Sequence, residues 1–507
     1  MEVGKPASIF RNDHMNYKEA REYIDSRAKF GIKPGLERIR RLAEMLGDPQ
    51  DKIRTVHIAG TNGKGSVCTM LSSILTSTGK KTGLYTSPFV TDYLEQFKID
   101  GKSISEDKYA AIITKIKCKA DLLDSENDCP TEYEINTIAA FLWFYESGCD
   151  CSVIETGLGG LMDATNIIKK PELSVITSIS LDHVNILGST IEEIAEQKAG
   201  IIKRGCPVVV SSNQKESVRN IIKSHLKDSS ALFCKNADNI SISLSGSDFT
   251  YENELYHVPL IGTHQAENAA TALTAAKTLF PNLSCKDINK GFCQAVHPAR
   301  FEHFDLGIPV ILDGAHNKGG AEVLKDTLEH IFPNEKLIGI MGMLADKEYA
   351  ECISLLAPLF EKIYAVTPDS PRALPASELS KVVSEHTVCE ACESFDEAFG
   401  KALAESVPVV VFGSLYLARI ARPVILQTAD KKTLCVNINK LHTTAMGAER
   451  IQRNLGITES PVEYCKNLIS STDCTVYRKG KNYYCDFENV RITVNAGSYT
   501  IITAHKK

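Results

Sequence analysis

The densest chemistry in the chain lies in seven residues, Gly60-Thr61-Asn62-Gly63-Lys64-Gly65-Ser66. The glycines let the backbone turn tightly and bring N–H groups close to a ligand. Lys64 has the length to reach the terminal phosphates of a nucleotide, and the Ser66 hydroxyl is placed as an oxygen ligand for Mg²⁺. Thr61, Asn62, Gly63 and Gly65 complete the cradle. Gly65 separates Lys64 from Ser66, so the spacing departs from the usual Walker A pattern. Such a loop says nucleotide, without separating a kinase, a switch and a ligase.

The flanking elements are those a phosphate loop needs. Thr55-Val-His-Ile-Ala59 alternates like a strand, Val67, Met70, Leu71, Ile74 and Leu75 recur at helical spacing, and Gly79 marks the helix end. A strand, a Gly-rich turn and a helix aim backbone N–H groups at phosphate. Glu155 ends the apolar strand Cys151-Ser-Val-Ile154, and His183 follows the strand 174–179. Both fall at carboxyl ends of strands, where open α/β sheets bind ligands. A strand-end Glu also caps helices, and a lone His is commonly structural. Asp313 and His316 follow the buried strand Val310-Ile-Leu312 in the same way. Thr190 and Glu193 form a capping box, after which Ile191, Ile194, Lys198 and Ile202 share one helix face. Lys198 thus sits on an apolar stripe, where it either snorkels to the surface or becomes a neutral amine.

The chain has 507 residues, 43% apolar and 24% charged, which suits two to four soluble domains. No run of about 18 apolar residues predicts a membrane span, and residues 1–20 lack an apolar signal core. The net charge of −6 leaves no global positive field for nucleic acid. Sixteen cysteines at irregular spacing, without an export signal, point to reduced thiols in the cytoplasm. Cys389-Glu-Ala-Cys392 is a lone CxxC with no second pair nearby to make a metal site. A cytoplasmic monomer with small-molecule substrates, and with no nucleic-acid or membrane partner, is expected.

The wider string HIAGTNGKGS at 57–66, followed by Tyr85-Thr-Ser-Pro88, closely resembles folylpolyglutamate synthase and dihydrofolate synthase of the Mur ligase superfamily. Further matches follow in the family's order: Glu155-Thr-Gly-Leu-Gly-Gly160, Asp163-Ala-Thr-Asn166, Leu181-Asp-His183 and Glu196-Gln-Lys-Ala-Gly200. His264-Gln-Ala-Glu-Asn268, Arg300-Phe-Glu302, Asp313-Gly-Ala-His-Asn317, Asp346-Lys347 and Gly413-Ser-Leu-Tyr416 complete the set, so that the resemblance covers roughly residues 15–425. Phe89 stands where the family usually has His, and Gln96 and Leu161 where an Arg is common.

The resemblance implies ATP-dependent amide formation through an acyl phosphate. L-Glutamate would be joined to folates, and to dihydropteroate as well. It implies Mg²⁺ held by Glu155 and His183 with Ser87 and Ser66, and a carbamylated Lys198 that turns a cation into an anion. It places Asn268, Arg300 and Asp313 at ATP, gives Lys64, Lys198 and His316 catalytic roles, and brings Thr131, Glu134 and Asp163 towards the folate. Glu132 and Glu134 also open a helix, where acidic residues are favoured for dipole reasons alone. Two alternatives stay open: a Mur-type cell-wall precursor ligase, and a nucleotide-dependent regulatory ATPase without ligase activity.

The fold expected is α/β. A phosphate-loop ATPase domain spans 1–296, a second doubly wound, Rossmann-like domain 297–426, and a small α+β domain of unknown role 427–507. Apolar strands are expected at 309–312, 337–341, 362–366 and 408–412, with ATP and substrate in an interdomain cleft. In the tail, helical patterns near 443–454 and 462–470 precede four short strands, and the polar run Thr428-Ala-Asp-Lys-Lys432 reads as a mobile linker.

Overall fold

A strand covered on both faces buries every side chain, and Thr55–Ala59 does so with Val56, Ile58 and Ala59 in apolar cores and with Thr55 and His57 hydrogen-bonded to Ser152 and Thr165. In the computed structural model, which describes residues 14–31, 33, 35–346 and 349–507, Arg54–Ala59 is a central strand. It pairs in parallel with Cys151–Glu155 on one side and Leu173–Ile176 on the other. Most of the N-terminal stretch read for a signal core, and Lys347, lie outside the described residues. The chain divides into two compact units, Met1–His297 and Pro298–Lys507.

The first unit is built on an eight-stranded sheet. From edge to edge its strands are Lys102–Ser103, Phe97–Ile99, Thr82–Tyr85, Cys151–Glu155, Arg54–Ala59, Leu173–Ile176, Val208–Val210 and Ala231–Phe233. The helix after the phosphate loop, Lys64–Ser77, packs against helices Thr263–Leu279 and Cys285–Phe292. Its buried face (Val67, Met70, Leu71, Ile74, Leu75) joins the largest apolar core of the unit. A separate three-stranded antiparallel sheet, Asp238–Ser243, Gly246–Tyr251 and Glu254–Val258, is an element the sequence reading did not pick out.

The second unit carries a six-stranded sheet. The four expected apolar strands form as Pro309–Leu312, Leu337–Met341, Phe360–Ala365 and Val409–Phe412. Two edge strands, Glu302–Asp305 and Val388–Ala391, complete it. Both edges are partly exposed and each is broken by charged residues, which hides them from an apolar-run search. Cys389 lies on the second edge; burial pushes its thiol up to about 11 and raises Cys392 as well, so neither is a ready thiolate. All sixteen cysteines are free thiols.

The tail forms a four-stranded antiparallel sheet, Thr475–Lys479, Asn482–Phe487, Val490–Asn495 and Ile501–Lys506, with helices Ala445–Leu455 and Pro461–Ser470. Its own core includes Ile451, Cys465, Val476, Cys485 and Ile492. The linker expectation is corrected here. Residues 428–432 belong to a 22-residue helix, Leu415–Val436, that runs through the expected boundary at 427. Asp430 accepts the Arg478 N–H at 2.8 Å, and Lys431 donates to the Ser471 and Thr472 carbonyls at 2.7 and 2.8 Å. The polar residues that resemble a linker are the anchors of the tail to this helix. Among the described residues no helix is long and apolar enough to cross a membrane.

Candidate active site

The phosphate loop turns at Gly63, whose φ of 84° only glycine adopts readily. A side chain there would collide with the Asn268 amide oxygen, so Asn268 lies directly on the loop. Lys64 Nζ donates to the Gly60 and Thr61 carbonyls at 3.2 and 3.3 Å. Thr61 Oγ1 donates to the Ser180 carbonyl at 3.0 Å, and Asn62 O accepts from Thr177 Oγ1 at 2.8 Å. These bonds tie the loop to the segment after the strand Leu173–Ile176. Two of the loop's cations and hydroxyls are thus partnered internally. Ser66 Oγ shares a 3.1 Å hydrogen bond with His297 Nδ1. A methyl group at Gly65 would lie 2.8 Å from the His297 ring. His297 is a contact that sequence reasoning missed, because 231 residues separate the partners and no local pattern links them.

Lys198 is only 3% exposed, and its Nζ donates to the Gly60 carbonyl at 2.7 Å. Its pKa is lowered to about 7, chiefly by burial and then by the Lys64 charge, while Asp182 and Asp163 oppose the fall. The apolar-stripe reading, and not the snorkelling one, describes this side chain. The turn Thr156–Gly160 braces the end of its helix: Leu161 N donates to Gln197 O at 2.7 Å. A methyl group at Gly160 would stand 2.7 Å from that carbonyl.

Glu155 is 5% exposed, and its Oε2 accepts the Ser87 N–H at 3.3 Å. The same oxygen would be 3.4 Å from a methyl group at Gly65. Glu155, Ser87 and the loop carrying Ser66 therefore gather at one place. One carboxylate and two hydroxyls are hard oxygen donors, which suit a Mg²⁺ that keeps water and phosphate in its remaining positions. His183 starts a one-turn helix at φ 50°, with its side chain about half exposed and 3.9 Å from Asp182. Among the described residues no three His, Cys, Asp or Glu side chains are spaced to hold a metal.

The residues read towards the folate are drawn into the frame. Thr131 and Glu134 form a capping box, with Glu134 Oε2 accepting from Thr131 N and Oγ1 and from Arg38 Nε. Glu134 Oε1 is buried without a protein partner. Asp163 uses both oxygens: Oδ1 accepts from Thr165 N, Thr165 Oγ1 and Tyr133 OH, and Oδ2 accepts from Leu158 N. Its carboxylate shapes the turn 156–163; burial raises its pKa against those hydrogen bonds.

In the second unit, Asp313 Oδ2 accepts the Phe301 N–H and Oδ1 the Ala315 N–H, each at 2.7 Å. Burial raises the Asp313 pKa, and the nearby Arg300 guanidinium opposes the rise. His316 Nδ1 donates to the Gly314 carbonyl at 2.8 Å, which fixes the ring against the turn after the strand Pro309–Leu312.

Residues 58–276 match the Mur ligase middle domain, and residues 299–415 match the Mur ligase glutamate ligase domain. Residues 435–505 match a family described as a protein of unknown function (DUF3781). The chain is 37% identical over 418 residues to the dihydrofolate synthase/folylpolyglutamate synthase of Bacillus subtilis (strain 168), covering 79% of this chain and 97% of that protein. It is 33% identical over 432 residues to the folylpolyglutamate synthase of Lacticaseibacillus casei, covering 81% of this chain and 99% of that protein. The crystal structure of Mycobacterium tuberculosis folylpolyglutamate synthase complexed with ADP and AMPPCP is similar with a TM-score of 0.75 at 31% identity, covering 81% of this chain and 98% of that one. With a phosphate loop, a buried lysine against it, and both ligase domains along its length, this chain belongs to the folylpolyglutamate synthase/dihydrofolate synthase family of Mur ligases and is an ATP-dependent amide-forming ligase.

Proposed function

We propose that the chain joins L-glutamate to folates, and also to dihydropteroate, with ATP as the energy source. The observation that carries this reading is the loop Gly60–Ser66 with Lys198 buried against its first carbonyl. The substrate carboxylate attacks the γ-phosphorus of ATP, giving an acyl phosphate and ADP. The glutamate amine then attacks the acyl carbon, and phosphate leaves as the amide forms and the amine loses its proton. Little covalent work falls to the protein, so its residues act by positioning and charge neutralisation.

Loop N–H groups at the start of helix Lys64–Ser77 receive the phosphates. Lys64 exchanges its bonds to the Gly60 and Thr61 carbonyls for phosphate oxygens. Asn268, against Gly63, fixes the loop on its nucleotide side. Arg300 supplies a guanidinium to phosphate, with bidentate geometry available. Asp313 holds the chain that carries Arg300, and His316, held against the same turn, serves the acyl-transfer step. Mg²⁺ would be held by Ser66, Ser87 and Glu155, with His183 joining when its exposed turn reorders, and would neutralise charge on the phosphates. Lys198, whose amine loses its proton near pH 7, adds CO₂ to give a carbamate and a proton, which converts a buried amine into an anion facing the loop. Glu134 Oε1 and the turn shaped by Asp163 serve the folate side. The protein acts as a monomer in the cytoplasm, with one folding region ending near residue 297 and the next passing into the tail through the helix Leu415–Val436.

The test is a mass-resolved product assay with ATP, glutamate and either dihydropteroate or a reduced folate, run on the native chain and on Lys64→Ala. The expected result is glutamylated product from both acceptors, and loss of at least about a hundredfold in turnover for the variant with an unchanged circular dichroism spectrum. Full activity in folded Lys64→Ala rejects the loop assignment, and product from one acceptor alone rejects the dual specificity.

A further inference from the structure

Arg300 is flanked by two residues in an unusual conformation. Ala299 has φ 53° and Phe301 φ 46°, left-handed values that non-glycine residues adopt rarely. Both flanking side chains are buried, at 0% and 3% exposure, while Arg300 between them is partly exposed. Such a backbone persists only when its surroundings over-determine it, and it concentrates at functional positions.

The surroundings here are specific. Phe301 N donates to Asp313 Oδ2 at 2.7 Å, and Gly314 N donates back to the Ala299 carbonyl at 2.9 Å. On the other side Ala299 N donates to Glu302 Oε2 at 3.0 Å. Glu302 is itself gripped from outside its own strand. Arg422 Nε donates to Oε1 and Oε2 at 3.0 and 2.8 Å, and Nη2 donates to Oε1 at 2.7 Å. Both side chains of this pair are largely buried, at 17% and 16% exposure. Two planar groups locked in a fork hold one orientation better than a single contact does. Arg422 lies on the helix Leu415–Val436, 120 residues from its partner.

We propose that Glu302 and Arg422 are positioning residues for the ligation step: the pair fixes the Ala299 N–H, and with Asp313 fixes the left-handed turn that aims Arg300. The inference rests on the reading of Arg300 as a phosphate-binding cation. It assigns to the helix Leu415–Val436 a part in catalysis besides its packing.

Three kinds of variant test it, each checked by thermal melting and read by turnover and by titration with a non-hydrolysable ATP analogue. Arg422→Met should lower kcat between about tenfold and about a hundredfold, the range expected for a misplaced catalytic cation. In an Arg300→Ala background the same change should add no further loss in kcat or in analogue affinity, because its effect passes through Arg300. If Arg422→Met fails to fold, Arg422→Lys and Glu302→Gln are carried through the same cycle. The exchanged pair Glu302→Arg/Arg422→Glu restores the ion pair but removes the acceptor for Ala299 N–H. It should melt near the native temperature and keep the low kcat. Unchanged kcat in the single variants, an equal further loss in the Arg300→Ala background, or full activity in the exchanged pair overturns the proposal. Full activity in Arg300→Ala overturns instead the underlying reading of Arg300.

Discussion

At the scale of single residues, the active site keeps a lysine where folding would prefer a hydrocarbon. Lys198 has a pKa of about 7 in the folded chain against an ordinary 10.5. The folded state therefore binds the proton less tightly than the unfolded chain. Stability rises with pH between about 7 and about 10.5, and is lowest below that window. Lys198→Met removes the titration and keeps most of the volume. The Gly60 carbonyl it abandons still accepts from Lys64. In bicarbonate-free buffer the variant should melt above the native chain at pH 7, converge with it near pH 10.5, and form no product. A variant that melts lower at pH 7 would show that the Gly60 bond outweighs burial of the amine. Lys198 was legible in the sequence because helical spacing alone puts it among Ile191, Ile194 and Ile202. Glu155 was legible as a strand end. His297 and Arg422 were not, because each meets its partner across more than a hundred residues and carries no local pattern. Asp163 and Thr131 show a third case: the motif was visible, but the use of their oxygens within the frame needed coordinates.

Among the elements, apolar strands in the sheet interiors were the easiest to read, since burial on both faces favours apolar runs. Edge strands broken by charged residues and the small sheet of residues 238–258 were hidden for the converse reason. The helix Leu415–Val436 is the element that changes an expectation. Its polar stretch 428–432 resembles a flexible linker, yet it is helical and tied to residues 471, 472 and 478. Its last turns place Leu434 in the tail core. A chain ending at Gln427 would leave Arg422 within about a turn and a half of a fraying helix end, without the residues that continue the helix. Such a chain should lose turnover at least about tenfold by the positioning argument. A chain ending after Val436 should keep it, although its exposed Leu434 and Cys435 would lower its solubility. Side-by-side melts and turnover decide the matter, and equal activity in the two chains would free the ligase of its tail.

For the molecule as a whole, both ligase domains were legible because their motifs come in a fixed order along some four hundred residues. The tail was legible as a fold and silent as chemistry, since its thiols are buried or, at Cys435, partly buried, and its strand patterns are structural. The junction between the two units falls at His297 and Pro298. The residue that ends the first unit is thus the same one that shares a hydrogen bond with Ser66 in the phosphate loop. With Ser66 proposed to receive a phosphate or a cation, His297 would be an internal competitor that the ligand has to displace. Losing one such bond is worth about 1 kcal/mol, or about fivefold in a dissociation constant. His297→Ala should therefore bind ATP about fivefold more tightly than the native chain in a calorimetric titration, and weaker binding would make His297 a ligand of the nucleotide. In the native chain that displacement would tie occupancy of the loop to release of the residue on which the first unit ends.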